Sequence, residues 1–220
     1  MPTRLDTIKW ITDCGMAAVI RAKSSDHLMQ VADAINEGGI NVIEVTMTTP
    51  NALAVIEEAV NKFGDEVLIG VGTVLDSETC RLAILAGAEF VVGPCLDRDM
   101  IEMAHRYDKP ILPGAFTPTE IKQAWDWGAD MVKVFPAEVG GPTYFKSILG
   151  PLPQIRLVPT GGVDIDTTPA FLRAGAVALC AGSALVDNKA VAEGRFDVVA
   201  DTARRFREAI DNTRAEMAAE

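Results

Sequence analysis

The chain has 220 residues, 49% of them hydrophobic, and a formal charge of −11. That length suits a single α/β barrel domain over residues 1–220, with ample material for a core. The acidic balance and the lack of a basic patch exclude nucleic acid as an expected partner, and no apolar run reaches the roughly 18 residues of a membrane helix.

Residues 6–14 predict a helix ahead of the first strand. Short apolar, β-branched runs follow at 17–21, Val42–Thr46, Leu68–Gly72, 90–93, 111–113, 131–135, Leu157–Pro159 and 178–181. Amphipathic segments stand between them, among them 27–37, Ala52–Phe63, 77–86 and Arg98–Arg106. Repeated β-α alternation implies a parallel sheet, and eight units in this length imply a (β/α)8 TIM barrel with an extra N-terminal helix. A doubly wound sheet is the second choice. Gly70-Val71-Gly72 is followed by Thr73-Val74-Leu75, so the third glycine of a dinucleotide fingerprint is missing. Residues 196–220 predict a last helix with Val198, Val199, Thr202, Phe206 and Ile210 on its apolar face, fraying over 212–220.

Lys133 stands in Met131-Val132-Lys133-Val134-Phe135, where alternation puts Met131, Lys133 and Phe135 on one face. An ammonium taken out of water needs a partner or gives up its proton, and the free amine is a nucleophile for Schiff-base chemistry. The other reading is a structural ion pair. Glu44, in Val42-Ile43-Glu44-Val45-Thr46, needs a cation, which Lys133 or Arg21 could supply. A buried pair stabilises poorly beside apolar packing, so two such charges favour function over a tie between strands. A carboxylate beside an amine also suits general acid/base work.

In such barrels the site lies at the C-terminal strand ends. Arg21 ends the first strand, where its fork could hold a carboxylate or make a surface ion pair. Thr73 offers a hydroxyl or a helix cap. Thr160-Gly161-Gly162 and Gly182-Ser183 follow the seventh and eighth strands, the usual phosphate position, where glycines let the backbone approach an anion and the following helix offers free N–H groups. Cys95 has no histidine to activate it and reads as packing. No C-x-x-C pair or histidine-rich set suggests a disulfide framework or a metal, and His27 and His105 read as solvent or helix-flank residues. The N-terminus lacks a basic segment followed by an apolar core, so a reduced cytoplasm is the expected location.

Ile43-Glu44-Val45-Thr46, Gly70-Val71-Gly72-Thr73-Val74, Val92-Gly93-Pro94, Lys133-Val134-Phe135-Pro136-Ala137-Glu138 and Pro159-Thr160-Gly161-Gly162-Val163 occur in that order. The set resembles the 2-keto-3-deoxy-6-phosphogluconate (KDPG) aldolases, which include bifunctional 4-hydroxy-2-oxoglutarate (KHG) aldolases. The resemblance implies a homotrimeric barrel and a class I aldolase that needs no metal or cofactor. It implies Lys133 as the Schiff-base lysine, Glu44 as the proton shuttle and Thr73 at the pyruvoyl group. Pro94 and Phe135 would wall the pocket, and Gly161, Gly162 and Ser183 would hold the phosphate. The substrate would be a phosphorylated 2-keto-3-deoxy sugar acid, giving pyruvate and glyceraldehyde 3-phosphate. Many members carry an arginine shortly after the glutamate to bind the substrate carboxylate; Thr48 stands there, and Arg21 is expected to take over. The 6-phosphogalactonate aldolases also lack that arginine and remain an alternative. A phosphate-binding isomerase or synthase, and a non-catalytic sugar-phosphate-binding barrel, remain as rivals.

Overall fold

The structure is a computed structural model describing residues 2–21 and 25–220, with side chains from residue 27 onward in the second stretch. Helix α1 (Arg4–Cys14) precedes strand β1 (Met16–Ile20). Then follow α2 (Ser25–Glu37), β2 (Val42–Thr46), α3 (Ala52–Phe63), β3 (Leu68–Gly72), α4 (Ser77–Leu85), β4 (Val91–Val92), α5 (Arg98–Arg106) and β5 (Ile111–Leu112). The chain continues through β6 (Gly114–Ala115), α6 (Pro118–Asp126), β7 (Val132–Val134), α7 (Gly141–Leu149), β8 (Leu157–Pro159), α8 (Thr168–Arg173), β9 (Leu179–Ala181), α9 (Asn188–Ala192) and α10 (Phe196–Ala219).

The helices start where the local chemistry allows. Thr3 and Asp6 form a reciprocal capping box at α1, and Thr117 and Glu120 do the same at α6. Asp76 and Asp97 accept the N–H groups of Thr79 and Met100 at the starts of α4 and α5. Gly15, in the left-handed region at φ 74°, ends α1 and turns the chain into β1.

All strand pairs between named strands are parallel. One sheet has six strands in the order β5-β4-β3-β2-β1-β9; the other has three, β6-β7-β8. A single bridge, Thr160 to Cys180, links β8 with β9. The run expected at 111–113 is broken at Pro113, which has no N–H to give. Its carbonyl instead accepts the Lys133 N–H at 3.0 Å. Strands β1, β2 and β3 are buried along their whole length, as parallel strands covered on both faces must be.

The last helix departs from expectation in which residues it buries. Its buried face runs through Val199, Ala200, Ala203, Phe206, Ile210 and Thr213, with Val198 and Thr202 only half-buried. The helix runs to Ala219, with residues 215–220 exposed, and Arg214 donates to the carbonyls of Thr12 and Asp13 at the end of α1. Among the described residues no helix is long and apolar enough to cross a membrane.

Candidate active site

Glu44 sits at the centre of β2, paired in register with Val19 and Gly70, and is 1% exposed. Burial pushes its carboxyl group above the usual carboxylate range; the charges of Lys133 and Arg21 pull the other way and do not win. Its Oε2 has no hydrogen-bond partner among the described residues. Lys133 occupies the centre of β7, between Gly114 and Val158 in register, and is 6% exposed. Its Nζ stands 5.4 Å from the centre of the Phe135 ring. The two charges are thus within electrostatic reach of each other. With Oε2 unpartnered, they do not form the saturated ion pair that the structural reading required.

Arg21 follows directly on β1, is exposed, and is near enough to act on Glu44. Thr46 and Thr48 share a hydrogen bond at 2.9 Å, so no cation stands at the position after the glutamate. Thr73 is not a helix cap: Asp76 fills that role for α4. Thr73 instead adopts φ 59°, a left-handed conformation costly for a β-branched residue. Pro94 is half-buried at the end of β4, its carbonyl lying against Gly114.

A cavity of about 500 Å3 opens at these strand ends. Arg21, Phe135, Thr160, Gly161, Gly162, Gly182 and Ser183 line it, as the sequence suggested. Lys133, Glu44, Thr73 and Pro94 are not among its lining residues, although the lining residue Cys180 feels the charges of both Glu44 and Lys133. Gly161 and Gly162 take φ 91° and 69°, conformations open to glycine. The expected helix N-termini do not follow at once: α8 begins only at Thr168 and α9 at Asn188. An anion here would meet loop N–H groups and not a helix end.

Six lining residues were not among the candidate site residues read from sequence: Val19, Glu138, Val163, Asp164, Cys180 and Ala184. Glu138 packs over the glycine turn, where a β-carbon on Gly162 would meet its Cβ at 2.5 Å. The Cys180 thiol is pushed up to about 12, first by burial and then by Glu44, so it stays protonated and inert. Alternation along the eighth strand was the signal that could have found it. Cys95 is exposed, which corrects the packing assignment. His105 is more than a flank residue, since its Nε2 lies 3.1 Å from Asp130 Oδ2. Among the described residues no group of three or more His, Cys, Asp or Glu side chains could hold a metal.

Comparison with known proteins agrees with this arrangement. A family model described as KDPG and KHG aldolase matches residues 8–202. A 2-dehydro-3-deoxy-phosphogluconate aldolase of Haemophilus influenzae is 31% identical over 95% of this chain and 97% of its own. Among solved structures, a native KDPGal structure superposes with a TM-score of 0.85 at 27% identity, covering 91% of this chain and 96% of that one. The KDPG aldolase of Legionella pneumophila, with pyruvate captured as a covalent carbinolamine intermediate, gives a TM-score of 0.83 at 28% identity over 90% of this chain and 96% of that one. A family model that covers most of the chain, and a relative 31% identical along nearly its whole length, place this protein in the KDPG and KHG aldolase family.

Proposed function

We propose that this protein is a class I aldolase that cleaves 2-keto-3-deoxy-6-phosphogluconate to pyruvate and glyceraldehyde 3-phosphate, and 4-hydroxy-2-oxoglutarate to pyruvate and glyoxylate. The observation that carries the reading is the buried Lys133–Glu44 couple, the lysine near enough to act on the glutamate, with an unpartnered carboxylate oxygen. The Lys133 amine adds to the 2-keto carbon, and loss of water gives an iminium. That cation draws in the electron pair of the C3–C4 bond as the C4 hydroxyl gives its proton to Glu44. The aldehyde leaves, Glu44 returns a proton to C3 of the enamine, and water releases pyruvate. A carboxyl group raised by burial above its ordinary range holds a proton more readily than a free carboxylate, which suits a group that must accept one and return it.

Arg21 binds the substrate carboxylate, Thr73 the pyruvoyl oxygen, and Pro94 and Phe135 wall the pocket. Thr160, Gly161, Gly162, Gly182 and Ser183 hold the phosphate, whose distance from the reacting bond lets binding energy orient it. The fold behind this reading is one (β/α)8 barrel domain with a preceding helix, in which β5 and β6 count as one strand interrupted at Pro113; the Thr160–Cys180 bridge between the two sheets supports it. Exposed Leu75, Leu82 and Leu85 support a homotrimer, and the four free thiols fit a reducing cytoplasm. The hydrogen-bonded Thr46–Thr48 pair also favours, as a second reading, the galactonate-type substrate with opposite configuration at C4.

Borohydride trapping with pyruvate, followed by peptide mass spectrometry, tests the proposal. The expected result is one reduced pyruvyl adduct, on Lys133, absent from Lys133→Met. No adduct on the folded protein would remove the aldolase mechanism and return the isomerase and binding-protein readings. Arg21→Ala should raise KM for pyruvate addition; an unchanged KM would sink that assignment.

A further inference from the structure

The glycines of Gly70-Val71-Gly72 serve no dinucleotide, yet two glycines in a five-residue buried strand weaken it and call for a reason. For Gly70 the reason is packing: a β-carbon there would fall on the Phe90 ring, which fills the core at 1% exposure. For Gly72 it is different. A β-carbon there would stand 2.6 Å from Glu44 Cγ and nearer still to Cδ and Oε1, where real β-carbons essentially never approach below 3.0 Å. The φ of Gly72 lies outside the left-handed region, so its backbone alone would accept alanine. The three atoms nearest such a β-carbon all belong to the Glu44 side chain, which would have to shift.

The sheet register explains the apposition. Glu44 pairs with Gly70 and Thr46 with Gly72, so Gly72 lies one same-face step toward the active end. The Glu44 side chain leans that way and rests on the bare α-carbon. The Met47 N–H donates to the Gly72 carbonyl at 2.8 Å and fixes the strand at that level. Thr73 then turns away at φ 59°. The carboxylate is therefore held by shape where one oxygen, Oε2, has no partner to hold it.

We infer that Gly72 is a positioning residue for the reaction: its missing side chain is the seat that sets the height and angle of the Glu44 carboxylate. The inference rests on the reading of Glu44 as proton carrier. A seat displaced by a methyl group moves the carboxylate by about 1 Å, enough to cost about 100-fold in rate.

The experiment compares wild type, Glu44→Gln, Gly72→Ala and the double variant E44Q/G72A for cleavage and for deuterium exchange into the pyruvate methyl group. Gly72→Ala should lower kcat about 100-fold with KM little changed. The double variant should be no slower than the slower single variant, because both changes disable one group. Multiplying losses, or full turnover in Gly72→Ala beside a dead Glu44→Gln, would overturn this inference alone. Full turnover in Glu44→Gln would overturn it together with the proton-carrier reading. Melting curves cover the case in which Gly72→Ala folds poorly. In E44A/G72A the added methyl has room, so the double variant should melt with Glu44→Ala alone. If it melts as low as Gly72→Ala, the glycine serves something other than the carboxylate and the inference fails.

Discussion

Glu44 carries opposite demands of folding and function in one carboxyl group. Its pKa in the folded chain is raised, chiefly by burial, above the value near 4.5 that it recovers on unfolding. The native state therefore holds that proton more tightly. The stability this gives is fully present below the unfolded value and is lost as pH rises through the folded one. Glu44→Gln, which never ionises, should melt higher than the parent at pH ~8 and level with it near pH ~4. A thermal-melt series over that range measures the gap, and a parent that gains on the variant with rising pH would contradict the assignment. Thr73 holds strain of a different kind. Thr73→Gly should add about 1 kcal/mol in urea unfolding by relieving a β-branched left-handed residue. It should also lower kcat/KM, since the hydroxyl goes with the strain.

At the scale of elements, the sequence was legible wherever local chemistry decided the outcome. Val42–Thr46, Ala52–Phe63, Leu68–Gly72, Arg98–Arg106 and Leu157–Pro159 were read with the observed bounds because caps, glycines and prolines mark them. Lys133 and Glu44 stood out because a charge inside an apolar run has few explanations. Gly72, Glu138 and Cys180 did not, because their importance comes from a neighbour brought up by the sheet. The contact near the end of α10 was hidden for the same reason: Arg214 meets the carbonyls of Thr12 and Asp13 only in the folded chain. Arg214→Ala should cost about 2 kcal/mol, the scale of hydrogen bonds from a charged donor. Amide exchange over 212–219 should quicken with it, and unchanged melting would show those bonds to be idle.

For the whole molecule, α4 presents Leu82 and Leu85 three residues apart on one face, with Leu75 just before it, each more than half exposed. An isolated leucine on a surface is ordinary; three on and just before one helix make that helix the place to test the proposed trimer contact. In sedimentation velocity the parent should run as a trimer and Leu82→Glu/Leu85→Glu as a monomer. A monomeric parent would leave that patch to another partner. The repeated alternation of strand and helix is visible in the chain, whereas the division into a six-stranded and a three-stranded sheet is not, since strand pairing leaves no local mark.

One strand is laced more heavily than its neighbours. Strand β2 is bound by three register pairs to β1 and by five to β3, whereas β3 meets β4 at the one pair Val71 and Val91, and β8 meets β9 at the one bridge Thr160–Cys180. A keel keeps its line while the planks beside it work. The strand that carries Glu44 is the keel here, so the residue whose placement tolerates least error sits where the backbone has most to hold it.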